Sequence, residues 1–468
     1  MASYAARMLS DLGVGGISQC IDVPEQGERE QLRWARSGAM ALSGKAGELP
    51  LLAPAPLAGA AAAALVALRA LAGNRWTGGE LDGAALLGER AAIFDYARSG
   101  DVAPGQSCRL IETKDEWLAV NLARESDRNL LPAWLETEGA HPELGAWEVV
   151  QRVFAERGSD DLLSRARLMG MPVAPVRRFS PGAPDCPPWF EAHAIPKQTQ
   201  PAPGARPVVL DLSTLWAGPL CGHLLGLAGA RVIKLESLSR PDGARHGPAA
   251  FFDLLNAGKE SVAVDFTSKA GRHSFEALLE HVDIVIESAR PRALRQLGIV
   301  AEDWIARHPG RTWLSITGYG RSEPEANWVA FGDDASASAG LCWAAADLNR
   351  GDDGPQSPLF CGDAISDPLT GLHSAVAALA SWQSGRSQLI DVSLCAVVRF
   401  IVDQATELEG QAVDVSVEQD AQERERERVR VGDASEVVAP PRARAVVARA
   451  SSLGADTQST MASFGVSA

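Results

Sequence analysis

Two carboxylates stand four residues apart in the stretch FCGDAISDPLTGLHSAVAALASW (360–382): Asp363 and Asp367. An aspartate held ionised beside an electrophilic carbonyl is a nucleophile, and covalent catalysis by such a group splits one hard exchange into easier steps. Asp367 also has a plainer use. Asp is a preferred helix N-cap, because its oxygens accept the N–H groups that a first turn leaves unpaired, and Pro368 stands where a first turn tolerates proline. The local sequence leaves both uses open. Asp363 reads as a solvated loop carboxylate, as most acidic residues are. His223 and His373 fall on expected helices and read as packing or surface residues rather than acid–base groups. The seven cysteines form no CxxC pair and no paired-ligand spacing, which argues against zinc and for reduced thiols in a cytoplasmic setting.

The elements that must position Asp367 are legible over residues 207–330. PVVLDL (207–212), RVIKLES (231–237), SVAVDF (261–266), DIVIES (283–288) and TWLSITGYG (312–320) read as strands, alternating with helical stretches such as 268–282. That alternation predicts an α/β fold with a doubly wound, parallel, Rossmann-like sheet. Ligands of such sheets bind beyond the carboxyl ends of the strands, where Gly218, Gly318 and Gly320 would let a ligand approach the backbone. No GxGxxG follows the first strand, so a nicotinamide or flavin fingerprint is absent.

Residues 101–180 read as a smaller α+β domain: a hairpin over 108–123, then helices over 143–156 and 159–169. The Pro-rich segment 181–206 reads as a linker. Residues 1–100 read as helical, 331–410 as a helical segment bearing Asp367, and 411–468 as a charged segment and tail. Its run EQDAQERERERVRV (418–431) has the character of a solvated face or mobile segment. The chain has 468 residues and a net charge of −15 with no basic stripe, which argues against nucleic acid as a partner. The N-terminus has no signal-peptide pattern, and the apolar 49–73 is broken by prolines, so a buried helix is expected there rather than a membrane span.

Several of these stretches, in order, resemble family III CoA transferases, the group of formyl-CoA and carnitine CoA transferases. VVLDLSTLWAGPLCGHLLGLAGARVIKLES resembles the family's opening, LLNAGKESVAVDF its Asn-x-x-Lys-x-Ser segment, VIESARPRALRQLGI its Glu-Asn-x-Arg-Pro segment, and LSITGYG its glycine-rich strand end. ISDPLTGLHSAVAALASW falls where the family carries its catalytic aspartate. The match is firmest over 207–400; 108–176 resembles the small domain and 440–466 the extreme C-terminus, out of the usual order. Residues 5–27 and 34–44 echo 221–243 and 334–344, which suggests a permuted or partly duplicated version. Its eroded first copy has APLAGAAAAAL near the aspartate position and should be catalytically silent.

The resemblance implies a CoA transferase acting on an acyl-CoA and a free carboxylic acid through aspartyl anhydride and aspartyl-CoA thioester intermediates. It implies Asp367 as nucleophile, Trp216, Ala217, Lys259, Arg290, Gly318 and Gly320 as CoA-binding residues (Arg245 is a further phosphate candidate), no metal, and a cytoplasmic homodimer. An acyl-CoA racemase or epimerase, or a catalytically inactive CoA-binding subunit, is the alternative. Asp333 and Asp334 lie where racemase relatives carry His-Asp, and without that histidine two-base proton shuttling lacks a base.

Overall fold

The computed structural model describes residues 2–14, 29–137, 145–179, 182, 186–202, 204–349, 357–408, 413–420 and 424–466. Cys20 and most of the 5–27 echo lie outside them.

The small domain begins with the expected hairpin. Strands β1 (Cys108–Glu112) and β2 (Trp117–Asn121) pair antiparallel, and β3 (Val173–Pro175) adds to β2. Helices Glu125–Leu135, Ala146–Phe154 and Ser159–Leu168 bury Trp134, Phe154 and Leu162 against this sheet. The indole N–H of Trp134 meets its need at the Leu162 carbonyl, 2.8 Å away.

The main sheet has seven strands: β4 (Glu191–Gln198), β5 (Val208–Asp211), β6 (Arg231–Ser237), β7 (Glu260–Val264), β8 (Ile284–Glu287), β9 (Thr312–Thr317) and β10 (Arg386–Ser393). Their order is β4-β10-β9-β8-β5-β6-β7, parallel throughout except for β4. The chain winds outward in one direction from β5 and in the other from β8, so the β5/β8 boundary is the switch point at which such sheets bind ligands. All residues of β8 and β9 are buried, as expected of strands covered on both faces.

Three expectations are corrected. The Pro-rich 181–206 carries strand β4, whose alternating EAHAIPKQ pairs at the sheet edge, where an antiparallel strand tolerates a proline. The segment 331–410 is not wholly helical, because β10 follows Gly385 directly and joins β9. The charged run forms strands β11 (Val413–Gln419) and β12 (Glu425–Val431), continued by β13 (Ala434–Val437), with Val429 and Val431 buried in the main core.

In the N-terminal unit, helix Leu57–Ala72 packs against helix Ser366–Ser384 in one core cluster. With the turn that follows it, as Leu57–Arg75, it is the one described helical stretch long and apolar enough to cross a membrane, and it is mostly buried. Written against SDPLTG (366–371), the residues PAPLAG (54–59) place Ala55 at the position of Asp367.

Candidate active site

Helix Ser366–Ser384 begins two residues earlier than a capping Asp367 would require. Its N-cap is Ile365, and Asp367 lies inside the first turn, its side chain serving a different purpose. The carboxylate lies against the backbone N–H groups of Ala217 and Gly332, which favour its charged form and open helices Ala217–Leu227 and Gly332–Ser338. Three helix starts therefore meet at one carboxylate, each presenting the positive end of its backbone dipoles. Gly332 is required for this: a Cβ there would lie 2.2 Å from Asp367 Oδ2 and 2.5 Å from the Ala364 carbonyl. The Asp367 residue keeps partial solvent exposure. Burial pushes its pKa up from 3.8 to about 6, against the lowering field of Arg90 and the two N–H donors.

Arg90, from the N-terminal unit, forms a two-pronged ion pair with Asp363, at 2.8 and 2.6 Å. Asp363 is fully buried, which corrects its reading as a solvated loop carboxylate: a carboxylate this deep needs the guanidinium fork. Asp333 accepts the Ala364 N–H at 2.8 Å, and burial, then the Asp363 charge, push it up to about 7. Asp334 accepts from the Phe331 amide (3.0 Å) and from Asn121 of β2 (3.1 Å), and burial pushes it up to about 7. The small domain thus reaches the helix that opens beside Asp367. Trp216 is buried between Phe251 and the Arg90 guanidinium, 5.1 Å from its ring.

A cleft of about 800 Å³ opens at the switch point, lined by Thr214 after β5, Ser288 and Arg290 after β8, and Thr317, Gly318 and Gly320 at the end of β9. Arg240, after β6, and Arg124, from the small domain, line it too. Among the described residues neither Arg240 nor Arg290 has a carboxylate partner. Burial, then the fields of Arg292, Arg124 and Arg240, lower the pKa of Arg290. Such a cleft suits a polyanion. It approaches Asp367 along the chain: Phe331 lines the cleft and the next residue, Gly332, has its amide beside the carboxylate.

Not every expected residue lies on the cleft. Lys259 is buried, its ammonium 2.8 Å from Asp211, 2.8 Å from the Pro219 carbonyl and 3.0 Å from Asn256. With its charge matched by Asp211, it braces helix Ala217–Leu227 instead of facing a phosphate. Arg245 is likewise taken by Glu236, at 2.9 and 2.6 Å. Gly218 makes room for Ser213, since a Cβ would lie 2.2 Å from its Cβ. Ala217 contributes its backbone N–H rather than a face to the cleft. His373 is buried, bonded to Tyr4 Oη at 2.8 Å, and pushed down to about 4 by burial, which fits its packing reading. Sequence reasoning missed Arg90, Arg124, Arg240 and Asn121. Of these, only Arg240, in the turn after a legible strand, carried a local signal.

An arginine-lined cleft at the switch point of an α/β sheet and an aspartate beside two further helix starts make up the candidate site. The model of CoA-transferase family III matches residues 206–443, just over half of the chain, and the protein belongs to that family. It is 30% identical over 208 residues to a succinyl-CoA–D-citramalate CoA-transferase of Chloroflexus aurantiacus, covering 42% of this chain and 50% of that one. It is 31% identical over 197 residues to a formyl-CoA:oxalate CoA-transferase of Escherichia coli O6:H1, covering 40% and 46%. The chain spans about half the length of these curated relatives. A CAIB/BAIF family protein from Brucella suis aligns with 28% identity and a TM-score of 0.38, over 45% of this chain and 57% of that one.

Proposed function

We propose that the protein moves CoA from an acyl-CoA to a free carboxylic acid, with Asp367 as nucleophile. The observation that carries this reading is that Asp367 does not cap its own helix and that its carboxylate lies beside the Ala217 and Gly332 amides. In the proposed sequence the carboxylate attacks the thioester carbonyl and expels CoA thiolate, leaving a mixed acyl-aspartyl anhydride. The thiolate then attacks the aspartyl carbonyl, releasing the donor acid and leaving an aspartyl-CoA thioester. The acceptor carboxylate attacks that thioester, re-expelling the thiolate and forming a second anhydride. Thiolate attack on the acceptor's carbonyl gives the new acyl-CoA and frees Asp367. Each attack on the aspartyl carbon creates an oxyanion where the two amides already point, so their stabilisation is preorganised. Arg124, Arg240 and Arg290 would hold the CoA phosphates, with Gly318 and Gly320 shaping the wall.

A panel of acyl-CoA donors and free acids, read by mass spectrometry, identifies the working pair. With that donor, hydroxylamine should convert Asp367 to a hydroxamate. Asp367→Ala and Asp367→Asn should lower exchange by about 10³-fold or more while the protein still melts cooperatively. An alanine variant with near-normal turnover would sink the nucleophile. Clear uptake of solvent deuterium at the α-carbon of a 2-methylacyl-CoA would favour racemisation instead.

A further inference from the structure

A second cavity of about 290 Å³ lies beside the cleft and shares Gly320, Glu325 and Trp328 with it. One wall is Arg399, on helix Leu394–Val402, which is only 4% exposed. Among the described residues, neither its Nη1 nor its Nη2 has a hydrogen-bond partner. The Asp403 carboxylate stands 3.8 Å from Nη2, too far for a hydrogen bond, and Asp403 already accepts the Gly182 N–H at 2.9 Å. Phe179 stacks over the guanidinium at 3.8 Å and covers its face. Buried guanidinium donors are rarely left unmet, because desolvating them without a partner is costly.

The rest of the lining narrows what could meet them. Phe190 and Trp328 offer apolar walls. Arg167 stacks over the Trp328 ring at 3.4 Å, and Arg177, Glu191 and Glu325 complete the charged part of the lining. Asp391, the remaining acid, is occupied by the Thr317 hydroxyl and the Arg321 amide, both at 2.8 Å. Besides the Nε of Arg167, the unmet buried donors of this lining among the described residues are the two at Arg399. They match the paired oxygens of a carboxylate, which an arginine fork binds in two prongs.

We propose that this cavity binds a small monocarboxylic acid with an apolar or aromatic body, its carboxylate on Arg399. The site is separate from Asp367 and does not rest on the CoA-transfer reading, since its occupancy is measurable without CoA.

The probe is 4-fluorobenzoate, titrated into the full chain and followed by fluorine NMR with no CoA present. Saturable binding is expected. Arg399→Gln should weaken it about tenfold or more, the loss of a charge-assisted pair. Ala396→Phe, which fills the cavity from the same helix and leaves Arg399 in place, should abolish it. It decides the question if Arg399→Gln does not fold. Neither 4-fluorobenzyl alcohol nor inorganic phosphate should compete. No saturable binding, equal affinity in the cavity-filled protein, or equal competition by the alcohol or by phosphate would overturn the proposal.

Discussion

A carboxylate that attacks must carry its charge, and burial works against that charge. At Asp367 the balance falls at about 6, with Arg90 among the groups pulling it down. The nucleophile is ionised above that value, so turnover in the proposed reaction should rise with pH through about 6. Arg90→Gln keeps a donor for Asp363 and removes the positive field. It should move the midpoint up by about one unit and cost more activity at pH 5.5 than at pH 8. A pH profile that keeps its midpoint would show that Arg90 only braces Asp363. Asp334 makes a complementary case in stability. Its pKa is raised from 3.8 to about 7, chiefly by burial, so the unfolded chain sheds this proton first as pH rises. The fold bears a penalty that grows from pH 3.8 to about 7 and is complete above it. Asp334→Asn keeps an acceptor for Asn121 and should raise the melting temperature more at pH 8 than at pH 5. An equal shift at both would mean that the carboxyl is not held protonated.

Helices that meet at Asp367 do so because small residues let them. At Gly371 a Cβ would lie 2.7 Å from the Ala217 carbonyl, so helix Ser366–Ser384 rides directly on the start of helix Ala217–Leu227. Gly371→Ala should cost about 1–3 kcal/mol in chemical denaturation. It should also lower exchange, by shifting the Ala217 amide. Loss of stability with full activity would uncouple the packing from the site. Strands β5 to β9 were readable because each is a short β-branched run between helical stretches. β10 was not: RSQLIDVS has a strand's composition, but its place depends on β9, some seventy residues away. β4 was hidden by prolines, and β12 by an Arg/Glu alternation whose buried Val429 and Val431 betray themselves only once a core is there to receive them. In the site, Asp367 and Arg290 stood in recognisable stretches. Lys259 stood in one too, yet its neighbour Asp211, distant in sequence, claims its charge. Arg90 and Asn121 come from other parts of the chain and acquire meaning only by contact.

The small domain and the N-terminal unit lie against helices Gly332–Ser338 and Ser366–Ser384 through buried contacts rather than through a tether. Asn121 bonds Asp334, the Arg177 amide donates to the Ala337 carbonyl, and Leu57–Ala72 packs on Ser366–Ser384. A protease site placed between β4 and β5 should therefore be cut without separating the halves, which should co-elute in gel filtration. Halves that part on cleavage would show that the connection alone held them. Arg90, Asn121 and Asp367 ride on one polypeptide, and the segment just before helix Leu57–Ala72 has Ala55 in place of a second aspartate. Whatever assembly the protein forms, the encounter of these groups is set by chain length and not by how many molecules share the solution. Specific activity should accordingly stay flat when the protein is diluted. A site built from two chains would instead fade with each step.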